Sequence, residues 1–361
     1  MEQITNYELL ERVDLFLRSI SKSDKVAIVH DNDPDGVCSA VIMAKCVERL
    51  RGKKVDMHFG FDRKQHAITA SMLSQLRKAK INKLITTDFS LEQTPETIKQ
   101  LEPFCEILIV DHHKIYNNVN RQRTILYKPQ LFIDIEPSRY CTGKLAYDAA
   151  SRVVNVSDLD WIAAAACIAD IATAPWQSWL MQVFKKYKIR SNTDLFKTDL
   201  GQVAATITSA AVYDIKLIDD CFDVFYKSKG PKDVLKSKLG NCKKVVDKEL
   251  YLWVRRFSKH AERYGELRIF EIKPKFQMQG PISTVLGLKY PHYTILVVDT
   301  KDGFMKVSAR RGDGKIAVNT LLEKAIEGFH GANAGGHVQA AGAGLNKKNY
   351  SLFKKRVIKL V

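Results

Sequence analysis

In the first 175 residues short apolar runs alternate with helix-like segments, and the runs end in acids or histidines. "KVAIVH" leads into "GVCSAVIMAKCVERL", "VDMHFGF" into "AITASMLSQLRKA" and "KLITTDF" into "TPETIKQLE", and "CEILIVDHH" continues the pattern. Strand and helix in regular alternation specify a parallel sheet with helices on both faces. In such a sheet a ligand lies beyond the carboxyl ends of the strands. There this sequence puts Asp33 and Asp35, then Asp88, then Asp111, His112 and His113. Asp170 joins them from "AAACIADIATA", where a carboxylate without a counter-charge would be costly to bury.

The stretch "HDNDPDGVCSA" sharpens the point by setting Asp31, Asp33 and Asp35 at alternate positions. Carboxylates this close repel, so a fold spaces them, pairs them with bases or gives them a cation. A single aspartate after a strand serves well as a helix cap or turn residue. Three strand ends carrying acids, one of them beside paired histidines, point instead to a divalent metal. Oxygen donors with a few imidazoles suit Mn²⁺ or Mg²⁺. The seven cysteines show no CxxC spacing, and Cys38, Cys46, Cys105 and Cys167 sit among apolar neighbours as buried, reduced thiols would.

Residues 1–175 thus read as one α/β domain, 176–265 as a helical region and connector, and 266–361 as a second, smaller α/β domain. The helical region breaks at "KSKGPKD" and ends in the long segment "KKVVDKELYLWVRRFSKHAERYG". The second domain runs from "LRIFEI" through "HYTILVVDT", "FMKVSAR", the helix "AVNTLLEKAIEGF" and "VQAAGAGL", with Asp302-Gly303 as a hairpin signal. No apolar run approaches the length needed to cross a bilayer, and "MEQITNYELLERVDLF" reads as an acidic amphipathic helix rather than a signal peptide, so a cytoplasmic location is expected. A net charge of +17 at 361 residues points to a polyanion, most often nucleic acid.

"DNDPDG", "TTD", "VDHHK" and "IAD", in that order, resemble the four motifs of the DHH phosphoesterase family, and "GGHVQAAGA" resembles the glycine-rich signature of the DHH-associated C-terminal domain of RecJ-like exonucleases and oligoribonucleases. The resemblance implies a parallel-sheet catalytic domain, a helical linker and a smaller α/β substrate-binding domain, with the active site in the cleft between the domains. It implies two divalent ions, Mn²⁺ preferred with Mg²⁺ as the alternative. Asp33 and Asp88 would hold one, and Asp35, Asp88, His112 and Asp170 the other. Either His30 or Asp31 would fill a further position. Asp111 would orient the histidine pair, and His113 would face the phosphate to stabilise charge or protonate the leaving oxygen.

Substrate contacts are then expected from the second domain: Ser308, Arg310 and Arg311 in "VSARRGDGKIAVN", and Gly335, Gly336 and His337 in the glycine-rich stretch. The implied reaction is hydrolysis of single-stranded DNA or RNA to 5'-mononucleotides. The alternatives are a phosphodiesterase acting on nanoRNA, phosphoadenosine phosphate or cyclic dinucleotides, and a metal-free scaffold in a replication complex. Expected partners are single-stranded nucleic acid or short oligonucleotides, with DNA replication or repair proteins as further candidates and no membrane.

Overall fold

The computed structural model describes residues 3–60, 68–301 and 303–361, so the Asp302 of the expected hairpin turn lies outside the described residues. Two compact units divide the chain, residues 1–243 and 244–361. No helix among the described residues is long and apolar enough to cross a membrane.

In the first unit, β1 (Val26–His30), β2 (Met57–Gly60), β3 (Lys83–Thr87), β4 (Glu106–Val110) and β5 (Thr124–Tyr127) form an all-parallel sheet in the order β2-β1-β3-β4-β5. Both of its faces are covered, which is why β1, β3 and β5 are buried along their whole length rather than at alternate residues. Val26 and Ile28 of β1 enter one core, Ala27 and Val29 the other. The larger core gathers α1 (Tyr7–Arg18), α2 (Pro34–Arg51), α5 (Thr142–Val153) and α6 (Asp160–Ala169). The opposite core lies under α3 (Ala70–Lys78) and α4 (Pro95–Leu101). Helices α7 (Gln177–Lys186), α8 (Asp199–Tyr213), α9 (Ile218–Lys227) and α10 (Pro231–Lys236) add Leu180, Val203, Phe222 and Val234 to the larger core. Cys38, Cys46, Cys105 and Cys167 are buried free thiols, as expected.

Helix α11 (Lys238–His260) is followed in the second unit by β6 (Glu262–Tyr264), β7 (Leu267–Ile272), α12 (Gln279–Lys289), β8 (Thr294–Asp299) and β9 (Phe304–Arg310). Then come α13 (Val318–Ile326), β10 (Asn333–Gly336), β11 (Ala340–Asn346) and α14 (Tyr350–Leu360). The sheet runs β10-β11-β9-β8-β7-β6, with β7 and β8 parallel and every other pairing antiparallel. Leu296, Val298, Met305, Val307 and Ala309 form its core with Leu322 of α13 and Phe353 of α14. The α/β class expected from the sequence holds in both units. Local readings differ. β5 and α12 have no expected counterpart, residues 262–264 form a strand where a continued helix is expected, and "NAGG" forms β10 rather than a turn.

Candidate active site

The carboxyl ends of β1, β3 and β4 deliver the expected residues to one place. Asp33 caps α2, its Oδ1 accepting from Gly36 N–H at 2.9 Å, and Asp35 follows in the first turn with its carboxylate 2% exposed. Gly36 is required there, because a Cβ would stand 2.4 Å from the Asp31 carbonyl oxygen. Asp88, just past β3, has a left-handed φ of +65°, strained for a residue with a side chain, and that conformation is kept in a buried carboxylate. Asp111 follows β4 and leads into His112 and His113, while Asp170 stands at the carboxyl end of α6, where the helix dipole disfavours another negative charge.

Three donor sets result, each with ligand atoms within 4.8 Å of one another: Asp31, Asp33 and Asp88; Asp88, His112 and His113; and Asp35, His112 and Asp170. Asp88 and His112 each belong to two of them. His112 Nε2 is 3.4 Å from Asp170 Oδ2, 3.7 Å from Asp88 Oδ1 and 3.9 Å from Asp35 Oδ2. Burial, with repulsion from Asp33, raises Asp35 to about 6. Burial, with repulsion from Asp35, raises Asp170 to about 7 and pushes Asp88 well above the usual carboxylate range. Such a set holds its protons or a cation, and its hard oxygens and imidazoles suit a divalent ion.

His30 is fully buried, and burial drives it down to about 4, so its ring is neutral. Its Nδ1 lies 2.8 Å from the Asp31 carbonyl oxygen and must donate to it, which leaves Nε2 as a bare lone pair without a hydrogen-bond partner among the described residues. It stands outside the three donor sets, whereas Asp31 belongs to one.

Behind the histidine pair lies a network that the sequence reading misses. Lys128, just past β5 and 0% exposed, places Nζ 2.7 Å from Asp111 Oδ2 and 2.6 Å from Glu92 Oε1. The same ammonium donates to the carbonyl oxygens of His113 and Lys114 at 3.2 and 3.1 Å, so one buried cation shapes the loop that carries both histidines. The other Asp111 oxygen accepts from His112 N–H at 2.9 Å and faces His113 Nδ1 at 2.7 Å. Burial alone would raise Asp111, but His113 and Lys128 hold it far below the usual range. Burial alone would lower His113, but Asp111 raises it to about 9. At neutral pH His113 is therefore an imidazolium whose Nδ1–H is held by Asp111, which leaves Nε2–H for a ligand.

The start of α5 is a second missed support. Thr142 and Gly143 donate their N–H groups to Asp35 Oδ2 and Oδ1, both at 2.7 Å, and Thr142 Oγ1 donates to Asp88 Oδ1 at 2.9 Å. A helix N-terminus suits carboxylates. A Cβ on Gly143 would stand 2.4 Å from that of Ala166. The available signals are a lysine at a strand's carboxyl end and a Thr-Gly pair opening a helix.

In the second unit Arg310 and Arg311 part company. Arg310 donates to Ala309 O at 3.0 Å and Thr284 Oγ1 at 3.1 Å, has no carboxylate partner among the described residues, and has its pKa lowered by burial. Arg311, expected beside it as a substrate contact, is 1% exposed and enclosed by Asp313 at 2.6 Å and Glu266 at 2.7 Å. Its donors are taken up by these two acids. Ser308 Oγ lies 2.8 Å from Ser283 Oγ and 3.4 Å from Arg310 Nη1. Gly335 and Gly336 lie in β10, and His337 is exposed at the turn into β11. Gly336, at φ +134°, would bring a Cβ within 2.5 Å of the Ala340 carbonyl oxygen.

Residues 25–175 match the model of the DHH family, N-terminal domain, and residues 283–361 match that of the DHHA1 domain. A sequence search of the curated proteins finds no match. Among solved structures, RecJ of Thermus thermophilus in complex with Mn²⁺ aligns with a TM-score of 0.70 at 16% identity, covering 98% of this chain and 54% of that one. This chain therefore spans about half the length of the Thermus protein. An exonuclease RecJ bound to manganese gives 0.70 at 14% identity, covering 98% and 94%. A pGpG-specific phosphodiesterase, PggH, from Vibrio cholerae gives 0.55 at 12% identity, covering 93% and 98%. At these identities the likeness is one of fold.

Proposed function

Because the chain belongs to the DHH family of phosphoesterases and carries the DHH-associated C-terminal domain, we propose that it is a metal-dependent exonuclease that hydrolyses single-stranded DNA or RNA to 5'-mononucleotides. The observation that carries the reading is that Asp88, grouped with Asp31 and Asp33, lies 3.7 Å from His112, which is grouped with Asp35 and Asp170, so that two donor sets adjoin in one place. Asp31, Asp33 and Asp88 would hold one divalent ion and Asp35, Asp88, His112 and Asp170 a second, Mn²⁺ being preferred. Bound there, the ions would lower the pKa of a water nucleophile toward neutrality and offset charge on the phosphoryl oxygens.

The protein's own groups supply the rest. Thr142 and the two α5 amides fix the Asp88 and Asp35 carboxylates, so no rotamer search precedes binding. Lys128 holds the loop of His112 and His113. His113, charged through Asp111, is suited to donate its Nε2 proton to the leaving oxygen. Arg310, with no carboxylate partner among the described residues, offers charge-assisted hydrogen bonds to a substrate phosphate.

Residues 244–361 carry 22 Lys and Arg against 10 Asp and Glu, so +12 of the chain's +17 lies in the second unit. That concentration favours a polymeric substrate, whose affinity grows with each phosphate neutralised. The fold likeness to a pGpG-specific phosphodiesterase supports a second reading, hydrolysis of dinucleotide-sized substrates. Incubation with Mn²⁺ and end-labelled DNA and RNA of two to thirty nucleotides separates them. The exonuclease reading expects stepwise shortening of long strands to mononucleotides. Cleavage confined to the shortest substrates overturns it in favour of the second reading.

A further inference from the structure

Side chains alternate along β9. Met305, Val307 and Ala309 enter the core of the second unit, while Phe304, Lys306, Ser308 and Arg310 face the other way. The neighbouring strand meets this face without side chains: β11 sets Gly344 opposite Lys306 and Gly342 opposite Ser308. β10 then sets Asn333 opposite Gly344 and Gly335 opposite Gly342. The result is a hollow of about 440 Å³ whose lining includes Gln279, Phe304, Lys306, Asn333, Gly342 and Gly344.

Three details make this hollow a prepared surface. A Cβ on Gly344 would lie 2.6 Å from the Phe304 ring and 2.7 Å from Asn333 Oδ1, so the glycine is what lets both settle onto the sheet. Phe304 nevertheless stays 44% exposed. The side-chain oxygen of Gln279, Oε1, is buried with no hydrogen-bond partner among the described residues. Lys306, whose Nζ reaches only a neutral amide oxygen, that of Gln277 at 2.8 Å, forms no ion pair among the described residues. Aromatic ring, ammonium, hydroxyl and guanidinium thus follow one another along β9 at intervals of about 6.7 Å.

We propose that this hollow is a nucleotide subsite for a substrate residue beyond the one gripped at Ser308 and Arg310. A nucleobase at least two positions along the strand from the nucleotide at Arg310 stacks on Phe304 with its polar edge toward Gln279 and Asn333, and Lys306 binds the phosphate nearest that base. Phe304 to Arg310 spans roughly 20 Å, enough for several nucleotides even when drawn out beyond the about 3.4 Å rise of stacked bases. The subsite selects single strands over dinucleotides. It rests on the exonuclease reading and deepens it.

The test is binding by the EDTA-treated full chain, followed by fluorescence anisotropy for labelled five-nucleotide single strands and by calorimetry for a dinucleotide. Phe304→Ala is expected to weaken the five-nucleotide ligand about tenfold and Phe304→Trp to retain it, since stacking tolerates any large aromatic surface. Lys306→Gln should lower the log–log salt slope by about 0.7, one phosphate's share for a single strand. The dinucleotide, too short to reach Phe304 from Arg310, should lose no more than twofold in either variant. Thermal melting of each variant identifies a loss of fold, and the Phe304→Trp and Lys306→Gln measurements then carry the decision. Wild-type affinity of Phe304→Ala for the five-nucleotide strand, or equal losses for both ligands at unchanged melting temperature, overturns the subsite while leaving the hydrolase reading intact. Failure of the wild type to bind or shorten single strands overturns both.

Discussion

The two units treat charge in opposite ways. The first carries 35 basic and 30 acidic residues, close to balance, yet it packs buried aspartates into one spot at the ends of its strands. The second holds most of the positive excess but keeps an arginine, Arg310, half-buried with no carboxylate partner among the described residues. Each unit is incomplete in the way its proposed ligand would correct: the aspartates by divalent cations, the arginine by phosphate. Crowding like charges, or burying a charge without a counter-charge, costs free energy, and such groups cluster at functional sites. The contrast extends to supports, since the first unit also buries a cation, Lys128, against two acids, Glu92 and Asp111, and the second buries Arg311 between two acids.

The largest effect should come from the shared ligand. Asp88→Ala is expected to reduce hydrolysis by about a thousandfold or more, because one carboxylate serves two donor sets. The metal-free variant should melt no lower than wild type, since its removal relieves repulsion among buried acids. Turnover within tenfold of wild type would remove Asp88 from the centre. Next comes the Lys128 network. Lys128→Met should cost about 3 to 5 kcal/mol in denaturant titrations by stranding Asp111 and Glu92 without their cation. A loss below about 1 kcal/mol would mean that those acids find other partners.

A smaller effect separates the two arginines. Arg310→Ala should weaken substrate binding by about 1.5 to 3 kcal/mol while leaving Mn²⁺ affinity unchanged. Arg311→Ala should instead lower the stability of the second unit, since it removes a buried guanidinium with its packing and its ion pairs to Asp313 and Glu266. Equal effects of both on substrate binding would erase the distinction. The smallest effect is the pH response of the first unit. Asp35 at about 6 and Asp170 at about 7 hold protons that an unfolded chain would have released, so in the metal-free protein their contribution to stability falls as pH rises from about 4 through 7. A divalent ion binds only the deprotonated forms. The rise in melting temperature on adding Mn²⁺ should therefore be several degrees larger at pH 8 than at pH 5.5, and an equal rise at both would contradict the proton-held centre.

What the sequence disclosed follows from what is periodic or adjacent in it. Apolar runs with acids at their ends declare a parallel sheet and its ligand end, so Asp33, Asp35, Asp88, His112 and Asp170 can be gathered from the amino-acid order alone, and the fold brings them together. The supports are contacts between distant segments and leave no such mark. Lys128 meets Glu92 across 36 positions, and Thr142 meets Asp88 across 54. Arg310 and Arg311 look alike in "SARRGD", but the first ends β9 and the second begins the turn, so neighbours of the same chemistry meet different surroundings. β10 escapes notice because a run of glycines reads as a turn, and only its pairing with β11 makes it a strand.

The most direct test of a first unit that cuts and a second that grips is single-strand binding by the metal-free protein, titrated with salt. Labelled twelve-nucleotide DNA or RNA is added to EDTA-treated protein, and affinity is measured between about 50 and 200 mM salt. The account predicts that binding persists without metal and falls steeply with salt, with a slope that Arg310→Ala makes shallower and Asp88→Ala leaves as in wild type. Binding that disappears on removal of the metal, or that ignores salt, would contradict it.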